Sequence, residues 1–136
     1  MINVIIGEKG TGKTARLIEA VHIAEQAATG SVVFVNKGKR HVLDLSHNVR
    51  LVDTEEYAIA SYEEFFGFIC GILSQNYDIA HVFVDSITKI VNDDMVAFEK
   101  FLDRVAPIAD ASNAEIQIIL SMNPDDVSDG IKKYVK

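Results

Sequence analysis

The chain has 136 residues, enough for one core but not comfortably two, so a single domain over 1–136 is expected. Lys and Arg number 13 against 20 Asp and Glu; the net charge of −7 repels a phosphate backbone and argues against general nucleic-acid binding. Cys70 is the one cysteine, which excludes an intrachain disulfide, a CxxC pair and a zinc ribbon.

Met1 leads straight into Ile2–Ile6 with no basic start or cleavage-type segment, so no signal peptide is expected. The apolar runs are far shorter than the ~20 residues that span a bilayer, so no membrane insertion is expected and the setting reads as cytoplasmic. Ile2–Ile6 is the first predicted strand. Leu17, Ile18, Val21, Ala24 and Ala28 then mark one face of a helix that Gly30 stops. Ser31–Val35 is a second strand, His41–Leu45 alternates like an edge strand, and Val49–Val52 is a shorter candidate. Phe65, Phe66, Ile69, Ile72 and Leu73 mark a second helix, followed by an Ala80–Val84 strand. Phe98, Phe101, Leu102, Val105 and Ile108 mark a third, with Asn92 or Asp93 as its N-cap and Pro107 kinking or ending it early. Ile116–Leu120 is the last strand, and Pro124–Tyr134 a short final helix with Pro124 near N1.

Continuous Val- and Ile-rich runs suit strands buried on both faces, the habit of parallel sheets. The predicted class is α/β: a three-layer α/β/α fold with a mainly parallel sheet of about five strands.

The first strand ends at Gly7-Glu8-Lys9-Gly10-Thr11-Gly12-Lys13-Thr14, which is GxxxxGK[ST], the P-loop or Walker A pattern. The glycines permit backbone angles closed to other residues, so successive N–H groups can wrap an anion. The helix that follows aims its positive end at the same point. Lys13 would reach the β- and γ-phosphates, and the Thr14 hydroxyl would coordinate Mg²⁺. Before phosphate arrives, Lys13 is expected to face solvent.

Such a loop needs a carboxylate at the tip of a second apolar strand. Asp85 after Ala80–Val84 fits, with Asp53 after Val49–Val52 as the backup. Asp85 is followed by Ser86, which cannot act as an unaided base near neutral pH. If the last strand lies between those ending in Gly7 and Asp85, Ser121 or Asn123 sits near the γ-phosphate. The basic run Asn36–His41 follows the second strand, where ligands of open α/β sheets bind; it suits a second anion, an acidic partner or a solvated turn. His22 and His81 read as packing residues, Phe65, Phe66 and Phe68 as core, and Cys70 as buried and inert.

Gly7–Thr14 with Asp85 resembles the P-loop NTPase superfamily, and the order of elements resembles its RecA-like branch along the whole chain. That branch inserts a strand between the loop strand and the Asp strand. The core order is similar to thymidine kinase, although that family carries Asp-Glu where this chain has Asp85-Ser86. The chain also resembles short bacterial P-loop proteins sometimes labelled twitching-motility ATPases. The resemblance implies Gly7, Glu8, Lys9, Gly10, Thr11, Gly12, Lys13 and Thr14 as the nucleotide-binding residues. It implies Thr14 and Asp85 as metal ligands, Lys13, Asp85 and Asn123 as catalytic residues, and ATP with Mg²⁺ as cofactors. The expected function is a small Mg-ATP-binding protein, a slow ATPase or a nucleotide-dependent switch. The alternative is a phosphotransferase whose acceptor lies near Asp53 and Lys37–His41. A protein partner or a second copy could add an arginine to the site; Arg16, Arg40, Arg50 and Arg104 are the candidates within such a homo-oligomer.

Overall fold

Runs of Val and Ile with no polar side chain to face water must be covered on both sides. The computed structural model, which describes residues 1–27, 30–39 and 44–136, covers them in that way. In chain order it holds β1 (Ile2–Gly7), α1 (Lys13–Ala27), β2 (Ser31–Asn36), β3 (Arg50–Asp53), α2 (Tyr62–Gln75), β4 (Ile79–Val84), α3 (Ile87–Ile90), α4 (Met95–Ala111), β5 (Glu115–Ser121) and α5 (Asp129–Lys132). Single 3₁₀ turns lie at Thr54–Glu56 and Pro124–Asp126.

The strands form one all-parallel sheet in the order β1-β5-β4-β2-β3. The β5 strand therefore separates β1 from β4, the arrangement on which the reading of Ser121 and Asn123 was conditional. Side chains alternate between two cores. Val4, Val33, Val35, Val82, Val84, Ile116 and Ile118 pack with α2 and α4. Val32, Phe34, Phe83 and Ile119 pack instead with Leu17 and Val21 of α1. Rings of α2 and α4 interlock, with Phe65 and Phe101 centroids 5.4 Å apart. Burying a ring as fully as Phe65 contributes about 1.5–3 kcal/mol. Phe66 and Phe68 are only partly buried against that core.

Three expectations change. The N-cap of α4 is Asp94, whose carboxylate accepts from the Ala97 N–H at 3.1 Å. Asn92 is engaged one turn earlier: its Oδ1 accepts from the Asp94 N–H and its Nδ2 donates to the Ala60 carbonyl. Pro107 does not end α4, which continues to Ala111 because buried Val105 and Ala109 on either side hold it to the sheet. An αL residue, Asn113 (φ 56°), follows its last turn, with the Ala114 N–H donating back to the Ala109 carbonyl. The tail is two short pieces rather than one helix, because Val127 is extended and buried and Ser128 starts α5 afresh as its N-cap.

Of the expected His41–Leu45 strand, residues 41–43 lie outside the described residues, and Asp44 and Leu45 stand in a turn and a bend. Ala28 lies outside them too. The end of the chain closes on β1: Val4 N–H donates to the Tyr134 carbonyl (2.8 Å), and Lys136 N–H donates to the Val4 carbonyl (3.0 Å). Among the described residues no helix is long and apolar enough to cross a membrane.

Candidate functional site

The glycine-rich segment leaves the tip of β1 and enters α1 directly, so its backbone turns at the C-terminal edge of the sheet. Gly10 (φ +85°) and Gly12 (φ +81°) take the left-handed angles that glycine adopts freely. Gly7 is needed for a different reason. A Cβ there would lie 2.8 Å from the Thr11 Oγ1 and 3.4 Å from the Lys13 Cδ, so a side chain would push the Thr11 hydroxyl out of its place in the loop. Glu8, Lys9, Gly10, Thr11 and Gly12 are exposed.

Lys13 is not solvent-facing, contrary to expectation: the residue is 5% exposed. Its Nζ donates to the Glu8 carbonyl at 2.6 Å, and the Thr11 hydroxyl donates to the same oxygen at 2.7 Å. The loop curls so tightly that its own carbonyl gives the ammonium a partner that would otherwise be water. Burial holds the Lys13 pKa below its usual value, nearby Arg16 adds to this, and Asp85 opposes it.

The N-terminus of α1 differs from those of the other long helices. At the start of α2 the N-cap Ser61 Oγ accepts from the Glu64 N–H, and the Glu64 carboxylate accepts from the Ala60 N–H and the Ser61 hydroxyl. α4 has Asp94. The first turn of α1 holds no acidic residue, so its N–H groups and its dipole meet no carboxylate of its own turn.

Asp85 stands one residue beyond β4 and is 1% exposed. Its Oδ1 accepts from the Thr14 hydroxyl at 3.2 Å and from the Ser86 hydroxyl at 3.2 Å. Thr14 and Asp85, 71 residues apart, thus meet where the loop becomes helix. Ser86 has φ 60°, a left-handed conformation uncommon for a non-glycine residue, and it starts α3.

Asp53 ends β3, the edge strand opposite β1 with three strands between them, and serves as a clamp. Its Oδ1 accepts from the Gly38 N–H (2.7 Å) and the Glu55 N–H (2.9 Å), capping the turn that begins at Thr54. Ser121 pairs in register with Gly7, and Met122 N–H donates to the Gly7 carbonyl at 3.0 Å. Asn123 is exposed, and its Oδ1 caps the following turn by accepting from the Asp125 N–H at 2.9 Å. In the basic run, Lys37 and Lys39 are exposed, Lys39 lies 3.9 Å from Glu56, and residues 40 and 41 lie outside the described residues.

No family model matches the chain, and no curated protein matches it.

Other predicted residues take plainer places. His22 is exposed rather than packed, its Nε2 3.0 Å from the Asp44 carbonyl, because the Leu17–Val21 stripe of α1 turns it outward. His81 stacks on Phe83. Cys70 is half-buried rather than buried, its thiol pKa raised by desolvation. A cavity of about 360 Å³ between β2, β3 and α2, lined by Arg50, Tyr57 and Phe68 among others, shares no residue with the loop.

Sequence reasoning missed Asn36. It ends β2 and is 0% exposed, and among the described residues neither its Nδ2 nor its Oδ1 has a hydrogen-bond partner. Read as the first residue of a basic turn, it was overlooked as the last residue of a strand. The signal was present: Val32, Phe34 and Asn36 alternate onto one face.

Proposed function

We propose that this chain is a small Mg²⁺-ATP-binding P-loop protein, similar to the RecA-like branch, that turns ATP over slowly or uses it as a switch. The observation that carries this reading is the 3.2 Å hydrogen bond from the Thr14 hydroxyl to Asp85. It joins the loop's last residue to the carboxylate of a separate strand. The position of β5 between β1 and β4 adds support, as does the α1 N-terminus, which has no acidic residue in its first turn. The absence of an Asn-Lys-x-Asp run from the sequence favours ATP over GTP. One unpaired cysteine suits a cytoplasmic setting.

Thr14 and Asp85 offer hard oxygen donors, which suit Mg²⁺. Among the described residues no group of three or more His, Cys, Asp or Glu side chains is placed to hold a metal by itself, so water and phosphate oxygens would complete the shell. A bound magnesium ion would draw negative charge from the phosphate oxygens. Lys13 would exchange the Glu8 carbonyl for a phosphate oxygen, a stronger acceptor for an ammonium. The loop N–H groups and the α1 N-terminus would hold the remaining phosphate charge. Ser86 offers no base, which favours slow turnover.

Calorimetric titration with ATP and Mg²⁺ tests this. Wild type should bind, and Lys13→Ala should weaken binding roughly ten- to a hundredfold, the loss of a charged contact worth about 1.5–3 kcal/mol. Equal affinities in the two proteins would sink the assignment.

A further inference from the structure

Burying an amide with both ends unsatisfied is costly, and β2 carries one, without a partner among the described residues, at its functional end. Asn36 lies on the face that α1 covers, in line with Val32 and Phe34. The next strand is β4. Val35 pairs with Val84, and Asp85 N–H donates to the Val35 carbonyl at 2.9 Å, which sets Asn36 beside Asp85. Neighbouring strands run about 4.8 Å apart. The position is held firmly, since the Asn36 carbonyl accepts from the buried Thr54 hydroxyl at 3.1 Å and Asn36 pairs with Asp53 on β3.

We infer that Asn36 is the residue that senses the terminal phosphate of a bound nucleoside triphosphate, a role that rests on the function proposed above. Its two ends match the two kinds of group that meet there. The Nδ2 protons suit a terminal phosphate oxygen, which only accepts. The Oδ1 suits a water of the cation's shell, which donates. A carboxylate in its place would repel the phosphate, and a hydrocarbon would offer neither contact. Since an amide does not take up a proton near neutral pH, Asn36 would orient a water without activating it, in keeping with Ser86 beyond Asp85. Asn123, the residue first expected at the terminal phosphate, spends its own oxygen on a turn.

The discriminating measurement compares a triphosphate with a diphosphate. Titrations with Mg²⁺ and either the imido analogue of ATP or ADP would be run on wild type, Asn36→Leu and Asn36→Asp. Leu keeps the branched shape without the polar atoms, so its melting temperature should not fall. Asn36→Leu should lose roughly tenfold or more in affinity for the triphosphate and keep its affinity for ADP. Asn36→Asp should lose more triphosphate affinity than Asn36→Leu, through repulsion. Equal losses for both nucleotides, or none for either, would overturn the sensing role while leaving the nucleotide site standing. Failure of wild type to bind either nucleotide would overturn both. If Asn36→Leu fails to fold, Asn36→Asp decides by the same ratio.

Discussion

Two aspartates end parallel strands of this sheet, and they have become different things. Asp53 fills its Oδ1 with two backbone N–H groups, from Gly38 and Glu55. Asp85 meets two hydroxyls, from Thr14 and Ser86. Backbone amides are fixed by the fold, and a carboxylate that holds them becomes part of a turn. Hydroxyls rotate, and both can turn from donating to the carboxylate to sharing a cation with it or facing solvent. The tip of a parallel strand is thus an opportunity for chemistry, and the donors around it decide whether the opportunity is used.

The largest expected effect breaks the comparison outright. Asp85→Asn should abolish most of the gain in ATP affinity that Mg²⁺ provides, roughly tenfold or more, because it removes a hard anionic oxygen. Asp53→Asn should leave that gain intact. Magnesium-dependent titrations that gave the reverse would mean that Asp53 is the metal's carboxylate. Next in size, Asp53→Ala should cost about 1 kcal/mol of stability by denaturant unfolding, the usual loss of a cap, with nucleotide affinity unchanged.

The smallest effect sharpens the contrast through pH. Lys13 beside Asp85 has its folded pKa held below 10.5, chiefly by burial. Its ammonium destabilises the empty fold at pH values below that depressed pKa, and the penalty is relieved between there and 10.5, so stability should rise with pH across that window. A bound phosphate favours the ammonium and raises the pKa again. ATP affinity should therefore start to fall, on alkaline titration, below pH 10.5, with proton uptake on binding. Calorimetry in buffers of different ionisation enthalpy would register that uptake, and Lys13→Ala should erase it. Uptake that persisted in Lys13→Ala would assign the proton to another group.

The fold was legible because its strands announce themselves. Val32–Val35 and Val82–Val84 carry no polar residue, and such runs have one comfortable home in a layered parallel sheet. The meeting of Thr14 and Asp85 was legible for the same reason, since strand tips of one sheet share an edge. What local patterns could not supply were contacts that depend on three-dimensional closure. The choice of Asp94 over Asn92 turned on Ala60, distant in sequence, which engages the Asn92 amide. The burial of Lys13 depended on how tightly the loop curls back at Gly7. Asn36 was obscured by its neighbours, since Lys37 and Lys39 made the segment look like a surface turn when its first residue still belonged to the strand.

The closing segment of the chain does more than fill space. β1 is an edge strand, and the Val4↔Val135 bridge occupies both the N–H and the carbonyl of Val4 on its outer side. Without residues 134–136 those groups would stand open on a rail of Ile2, Val4 and Ile6, the kind of unpaired margin that recruits a strand from another molecule. A version of the protein lacking those residues would then risk joining edge to edge, with copies stacked along the strand that carries the loop.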